Sequence, residues 1–314
     1  MKRAFIGAVR AIGHAALSPI ERSLAGDEAM AAPPIFIVGP PRSGTSLVYE
    51  AMITRYRFAY MSNLAHRFFL TPVAATWLGR RAITGWRGDF VNHYGHIEGW
   101  GAPNEGGWIW RRWLADGDWR DESGRSTIDV VAMRRVIAGL SRAIGAPFLN
   151  KNVMHSNRMR LIDAIWPGAL FIEVRRDPRE NARSIIRAER REGGPEPDAD
   201  HWWSVRPSIA PRYLGGSDID RAAAQVLGVR ADIARDAATL PAGNLFALDY
   251  ARFCDRPEFV LGEVADWLSG HGIAVHLRGT VPERFGPESR PLDDQDEAAL
   301  TRALESIGRI IDGN

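Results

Sequence analysis

The chain has 314 residues, 45% of them hydrophobic and 25% charged, which is ordinary for a globular enzyme with a large buried core. Forty basic residues against 38 acidic ones leave a formal charge of +2, so no nucleic-acid partner held by bulk field is expected. One cysteine, Cys254, excludes an intrachain disulfide. No apolar run reaches the roughly 18–20 residues of a bilayer span, and a cytoplasmic location follows as the expectation.

Residues 1–32 read as a leader. Met1-Lys2-Arg3 and the apolar stretch to Leu17 have the outline of a signal peptide, but Arg10 and His14 interrupt it. The helical spacing of Phe5, Ile6, Val9, Ile12 and Leu17 suits an amphipathic helix, either in peripheral membrane contact through residues 1–20 or packed as an ordinary leader.

Residues 33–314 read as a single domain. Pro33-Pro34 introduces a strand at Ile35–Val38, and a helix runs from Thr45 to about Arg55. Phe58–Met61 reads as a second short strand. Residues 64–125 are Gly-rich, irregular and crowded with tryptophan, and form an insertion on the acceptor side. A helix near Ile128–Ile144 precedes a strand at residues 147–151, and Ser156–Trp166 is helical. Ala169–Val174 is a buried strand. Asp177 then caps a helix with Pro178 at its first position and Glu180 at its third. Residues 192–217 look like a mobile insertion. Asn244–Leu248 is the last strand, with helices at Ile219–Leu240, Pro257–Leu268 and Gln295–Ile311. Alternating strands and helices predict a three-layer α/β/α fold around a mainly parallel sheet of about five strands.

The stretch Gly39-Pro40-Pro41-Arg42-Ser43-Gly44-Thr45-Ser46-Leu47 carries most of the chemical information. A strand running into a Gly/Pro turn and then a helix aims backbone N–H groups at an anion, most often a phosphate. Against the nucleotide-binding pattern G-x-x-x-x-G-K-[ST], Gly39, Gly44 and Ser46 fit, but Thr45 replaces the lysine. The nearest cation is Arg42. A kinase or ATPase needs that lysine and a Mg²⁺ site, so the loop should hold phosphate for different chemistry. At the end of a second strand, Arg176 and Ser184 offer a guanidinium and a hydroxyl for another phosphate.

These two motifs, in this order, resemble those of the sulfotransferases. Residues 39–47 look like their 5′-phosphosulfate loop, and Arg176-Asp177-Pro178 with Ser184 like their 3′-phosphate motif. Lys151 sits where family members often carry a lysine, and Tyr250 resembles the start of a Tyr-Glu-Asp-Leu segment, with Ala251 and Arg252 replacing its acidic residues. The resemblance covers roughly residues 33–270. It implies a P-loop NTPase-like fold, with 3′-phosphoadenosine 5′-phosphosulfate as co-substrate, no metal, and a hydroxyl or amine on a small molecule, sugar or lipid as acceptor. It also implies that Pro41, Arg42, Ser43, Gly44, Thr45, Ser46, Arg176 and Ser184 bind the donor, with Arg42 at the bridging oxygen.

Lysine occurs only at Lys2 and Lys151 in a chain that otherwise uses arginine. That choice points to Lys151 as a compact ammonium near the transferring group. The acceptor needs a general base, and family members take a histidine or glutamate from the region after the second strand. Asn63 stands near one such glutamate position and closes that route. His66, His93, His96, Glu98 and Glu105 remain. Glu105 leads, because a loop among aromatics raises its pKa toward usefulness, and His93 follows. Trp108, Trp110 and Trp113 read as core or as an acceptor-pocket wall, and His201-Trp202-Trp203 as a lid. The arginine stripe 179, 183, 187, 190 reads as a solvated helix face. A small-molecule kinase and a non-catalytic nucleotide-binding protein are the alternatives.

Overall fold

The computed structural model describes residues 2–90, 97–114, 122–191, 202–286 and 290–313, with residues 2–12, 122 and 124 described as backbone. Four strands, β1 (Ile35–Val38), β2 (Leu149–Lys151), β3 (Leu170–Arg175) and β4 (Leu245–Asp249), form one parallel sheet in the order β2-β1-β3-β4. Ile35, Phe36, Ile37 and Val38 are fully buried, as a strand covered by helices on both faces must be.

The sheet has four strands and not the expected five. Phe58–Met61 touches it by a single bridge, in which the Ala59 N–H donates to the Pro147 carbonyl and the Leu149 N–H donates to that of Ala59, each at 2.8 Å. Ser62 then accepts from the Ala65 N–H at 3.2 Å and starts α3 (Asn63–Arg67), turning the chain away before a second rung can form.

The segment expected to be irregular, 64–125, also contains α4 (Pro72–Gly85) and α5 (Gly107–Trp110). Earlier in the chain lie α1 (Lys2–Ala25) and α2 (Thr45–Arg55). From residue 13 onward α1 packs into the fold: His14 is buried edge-on to Phe68 and Phe69. Glu21 caps α4 from outside, accepting from the Val73 and Ala74 N–H groups at 3.2 and 2.7 Å. These bonds recover part of the cost of burying that carboxylate.

Then follow α6 (Val130–Ile144), α7 (Met159–Ile165), α8 (Pro178–Arg191), α9 (Asp218–Ala237), α10 (Tyr250–Asp255), α11 (Pro257–Gly270) and α12 (Asp294–Asp312). The single helix expected over Ser156–Trp166 is divided. A 3₁₀ turn at Val153–Asn157 ends at Arg158, whose φ of −150° breaks the helix before α7. The start of α8 follows its sequence signature, with the Glu180 N–H donating to Asp177 Oδ1 at 3.0 Å.

The arginine stripe on α8 is only partly a solvated face: Arg190 is exposed, while α12, which packs on α8 and α9, covers much of Arg183. Arg183 forks onto Glu297 with two bonds of 2.7 Å, and Arg190 joins Asp218 and Asp296 at 2.7 and 2.5 Å. The hydrogen bonds from Arg183 hold the Glu297 carboxyl down at about 2. A carboxyl depressed below its ordinary 4.5 contributes stability that is complete above about pH 5 and is lost as the pH falls toward 2. Glu297→Gln is therefore expected to cost about 1–2 kcal/mol near neutrality, a Tm drop of about 2–4 °C. Calorimetry should show that gap narrowing as the pH falls through about 4.

Candidate active site

The turn after β1 adopts backbone conformations that few residues tolerate. Arg42 has φ 64° and Gly44 φ 96°, and a Cβ on Gly44 would lie 2.0 Å from the Tyr250 ring, so no larger residue fits there. Side chains behind the turn take its carbonyls. Ser156 Oγ donates to the Gly39 carbonyl at 3.0 Å and accepts from its N–H at 2.9 Å. Asn181 Nδ2 donates to Pro41 O at 2.7 Å, and Arg176 Nη1 to Arg42 O at 3.1 Å. With those oxygens withdrawn, α2 begins at Gly44 without a side-chain cap, and the positive end of its dipole faces the opening. Ser43 is fully buried and its Oγ has no hydrogen-bond partner. An unsatisfied hydroxyl beneath an uncapped helix start is what an anion would complete.

The opening is a cavity of about 370 Å³ whose wall includes Pro41, Arg42, Gly44, Thr45, Ser46, Glu105, Lys151, Arg176 and Tyr250. On one side, Lys151 leaves the end of β2. Its Nζ donates to Ser46 Oγ at 3.0 Å and forms an ion pair with Glu105 Oε1. On the other side, the Arg176 guanidinium lies 5.2 Å from the centre of the Tyr250 ring. Arg42 Nε donates to Ser184 Oγ at 3.3 Å, so Ser184 meets the site through Arg42 and is not itself part of the wall.

The Glu105 loop is built from asparagines. Asn104 Nδ2 donates to Asn63 Oδ1 at 2.8 Å, and the Gly106 N–H donates to Asn104 Oδ1 at 2.8 Å. Asn150 and Asn152, flanking Lys151, donate to the Glu105 carbonyl at 3.5 and 3.4 Å. Gly106 has φ 73°, and a Cβ there would strike Met61 Sδ at 2.0 Å. Asn63, read from the sequence as a lost glutamate, therefore serves as a brace for the loop that carries one.

Of the other base candidates, His66 on α3 and Glu98 are not in the cavity wall, and His93 and His96 lie outside the described residues. Trp110 is core, its Nε1 donating to Asn150 Oδ1 at 3.0 Å. Trp108 and Trp113 are not in the cavity wall, while Trp119 and His201 lie outside the described residues. Trp203 does line the cavity, beside Ser204. Phe90 and Phe285 are wall residues that no sequence signal marked; their rings meet at 5.2 Å, and Phe253 stacks behind Phe285 at 5.5 Å. Among the described residues no cluster of His, Cys, Asp or Glu gathers as a metal site, and no helix is long and apolar enough to cross a membrane.

Phe90 is held by Glu50, a fully buried carboxyl on α2 whose Oε1 accepts from the Phe90 N–H at 3.0 Å. Burial pushes that carboxyl up to about 7. Its folded value exceeds the ordinary 4.5, so its contribution is fully present below about pH 4.5 and is lost as the pH rises through 7. Glu50→Gln, which keeps the acceptor, should match wild type near pH 4.5 and exceed it above about pH 8, by about 2–3 kcal/mol. Thermal melts at the two pH values check both the sign and the crossover.

Residues 33–270 match the sulfotransferase family. Among solved structures, a sulfotransferase from Mycobacterium avium is similar at 16% identity and a TM-score of 0.50, over 88% of this chain and 69% of that one. Another from Mycobacterium tuberculosis gives 14% and 0.48 over 94% and 79% of the two chains. A third, from Alicyclobacillus acidocaldarius, gives 13% and 0.47 over 90% and 96%. No curated protein matches.

Proposed function

The chain belongs to the sulfotransferase family, and we propose that it moves a sulfuryl group from 3′-phosphoadenosine 5′-phosphosulfate to a hydroxyl or amine of a small-molecule, carbohydrate or lipid acceptor. One observation carries this reading: the uncapped start of α2, the Lys151–Glu105 pair and the Arg176–Tyr250 pair converge on a single cavity of about 370 Å³. That arrangement suits a ligand with anionic groups at two separated points and a reacting centre between cation and carboxylate.

In-line sulfuryl transfer asks for position and charge stabilisation more than for a covalent intermediate. The first turn of α2, with the hydroxyls of Ser43, Thr45 and Ser46, would hold the 5′-phosphosulfate. Arg176 would hold the 3′-phosphate, with Ser184 supporting that side through its bond to Arg42. Sequence reasoning gave the bridging oxygen to Arg42, but the Arg42 Nε is engaged with Ser184, whereas Lys151 Nζ stands on Ser46 in the first turn of α2. The geometry therefore favours Lys151 for charge on the transferring group and Arg42 as the link between the two half-sites.

Glu105 is the base in this reading. It takes the proton of the acceptor hydroxyl as that oxygen bonds to sulfur. The bond from sulfur to the bridging oxygen breaks, and its electron pair leaves on the 5′-phosphate of the nucleotide. The carboxylate must first part from Lys151. An incoming sulfuryl group gives the ammonium a new anionic partner and frees Glu105, so the donor prepares the base before the acceptor reacts.

Adenosine 3′,5′-bisphosphate is expected to raise the Tm, and Arg176→Ala to abolish the rise. Stabilisation by ATP with Mg²⁺ and none by the bisphosphate would overturn the donor assignment. With a turned-over acceptor, Glu105→Gln should lower kcat by about 10²–10⁴. Lys151→Ala should lower kcat by about 10²–10³; variants that keep kcat within a factor of a few would exclude both roles.

A further inference from the structure

Large apolar side chains are buried across most of the fold, but five of the ten that are exposed among the described residues lie in one short stretch: Leu70, Trp77, Leu78, Trp100 and Trp108. They are grouped in space by α3 and its neighbours. Trp77 and Leu78 stand on the outer half of α4, which packs on α3. Trp100 passes its carbonyl to the Leu64 N–H at the start of α3, at 3.0 Å, and Gly101 beside it lies against the backbone of Ala82 on α4. Trp108 sits on α5, which also packs on α3, with its ring 6.1 Å from that of Phe69.

Arginines accompany these rings. The Arg80 guanidinium lies 5.0 Å from the centre of the Trp77 ring, and that of Arg111 lies 4.8 Å from Trp108. Arg112 pairs in the same way with Trp113 at 4.4 Å. Residues 64–114 contain six arginines against three carboxylates, and one of those, Glu105, is in the cavity wall. In a chain of formal charge +2, the exposed tryptophans among the described residues thus all fall in this segment, together with an excess of arginine.

From this we infer that the α3–α4–α5 surface docks on an anionic lipid bilayer. Tryptophan is suited to the headgroup level, where its ring is half in hydrocarbon and its N–H is wet. Arginine beside it can lay its stem along apolar surface and keep its charge among lipid phosphates. Exposed leucines add apolar area that enters the acyl boundary. A second copy of the chain fits less well, because a two-fold contact would set this arginine-rich face against itself. The exposed Trp108 on α5 follows closely in the chain on Glu105 in the cavity wall, so the docked surface adjoins the acceptor side of the cavity. The inference stands whether or not the donor assignment is right, and none of the residues tested belongs to the cavity wall.

Co-sedimentation of the full chain with vesicles of phosphatidylcholine, with and without phosphatidylglycerol, tests it. Wild type should pellet with the phosphatidylglycerol vesicles, less so at high salt, and should stay in solution with phosphatidylcholine alone. Arg80→Glu/Arg81→Glu and Trp77→Ala/Trp108→Ala should each weaken binding by about tenfold or more. Melting temperature and its response to adenosine 3′,5′-bisphosphate should stay as in wild type, since all four side chains are exposed. Three results would overturn the proposal: no pelleting by wild type at low salt, pelleting equally strong in both double variants, or a concentration-dependent dimer that the tryptophan variant abolishes.

Discussion

A parallel sheet delivers all its strand ends to one edge, and the register of β1 between β2 and β3 sets which residues meet there. Ile37 pairs with Lys151 and Val38 with Glu173, so the turn after β1 opens between the end of β2 and the end of β3. Everything in the cavity follows from that alignment. Lys151 ends one neighbouring strand, and Arg176 follows the other. A slip of one residue on either side would turn a side chain from the edge into a helix-covered face. The buried, apolar β1 resists such a slip because Ile35, Phe36 and Ile37 are paired on both sides and Val38 is paired with β3.

The turn itself stays open at the cost of strained backbone and a buried hydroxyl. Arg42 and Gly44 are both left-handed, and Tyr250, just after β4, packs closely over Gly44. Carbonyls that would otherwise compete for an anion are drawn back by Ser156, Asn181 and Arg176. The side chain that withdraws the Arg42 carbonyl is also the one that lines the far half of the cavity. The two half-sites are therefore mechanically connected before any ligand arrives.

Glu105 and α8 are supported in different ways. Glu105 sits on a loop whose backbone is satisfied by asparagine amides from two places in the chain, Asn104 and the Asn150/Asn152 pair, with Asn63 behind them. Amides suit this task because they satisfy buried backbone groups without adding a charge next to the Lys151–Glu105 pair. The α8 helix is clamped on its outer side by arginine–carboxylate forks from α12, an element beyond the residues that match the family. Those forks fix the helix that bears Ser184 and Asn181.

Much of this was legible in the sequence, and for local reasons. The turn at 39–46 could be read because strand, glycine positions and helix start are contiguous. The α8 start could be read because Asp177, Pro178 and Glu180 act over a single helical turn. Burial of Ala169–Val174 was implied by its largely apolar run. What could not be read depends on partners distant in the chain. Phe58–Met61 has the composition of a strand, yet only one rung of ladder was open to it beside Phe148. Arg183 of α8 looks solvated until α12 returns to cover it. Phe90 and Phe285 carry no motif, and enter the cavity because Glu50 and Phe253 hold them there. The sequence alone determined the layered fold, the glycine-rich turn after β1 and the arginine after β3, because each is a pattern within a few residues. Tertiary structure decided that Lys151 stands on Ser46 against Glu105 while Arg42 turns to Ser184, because side-chain direction is set by packing between elements that the chain order does not bring together.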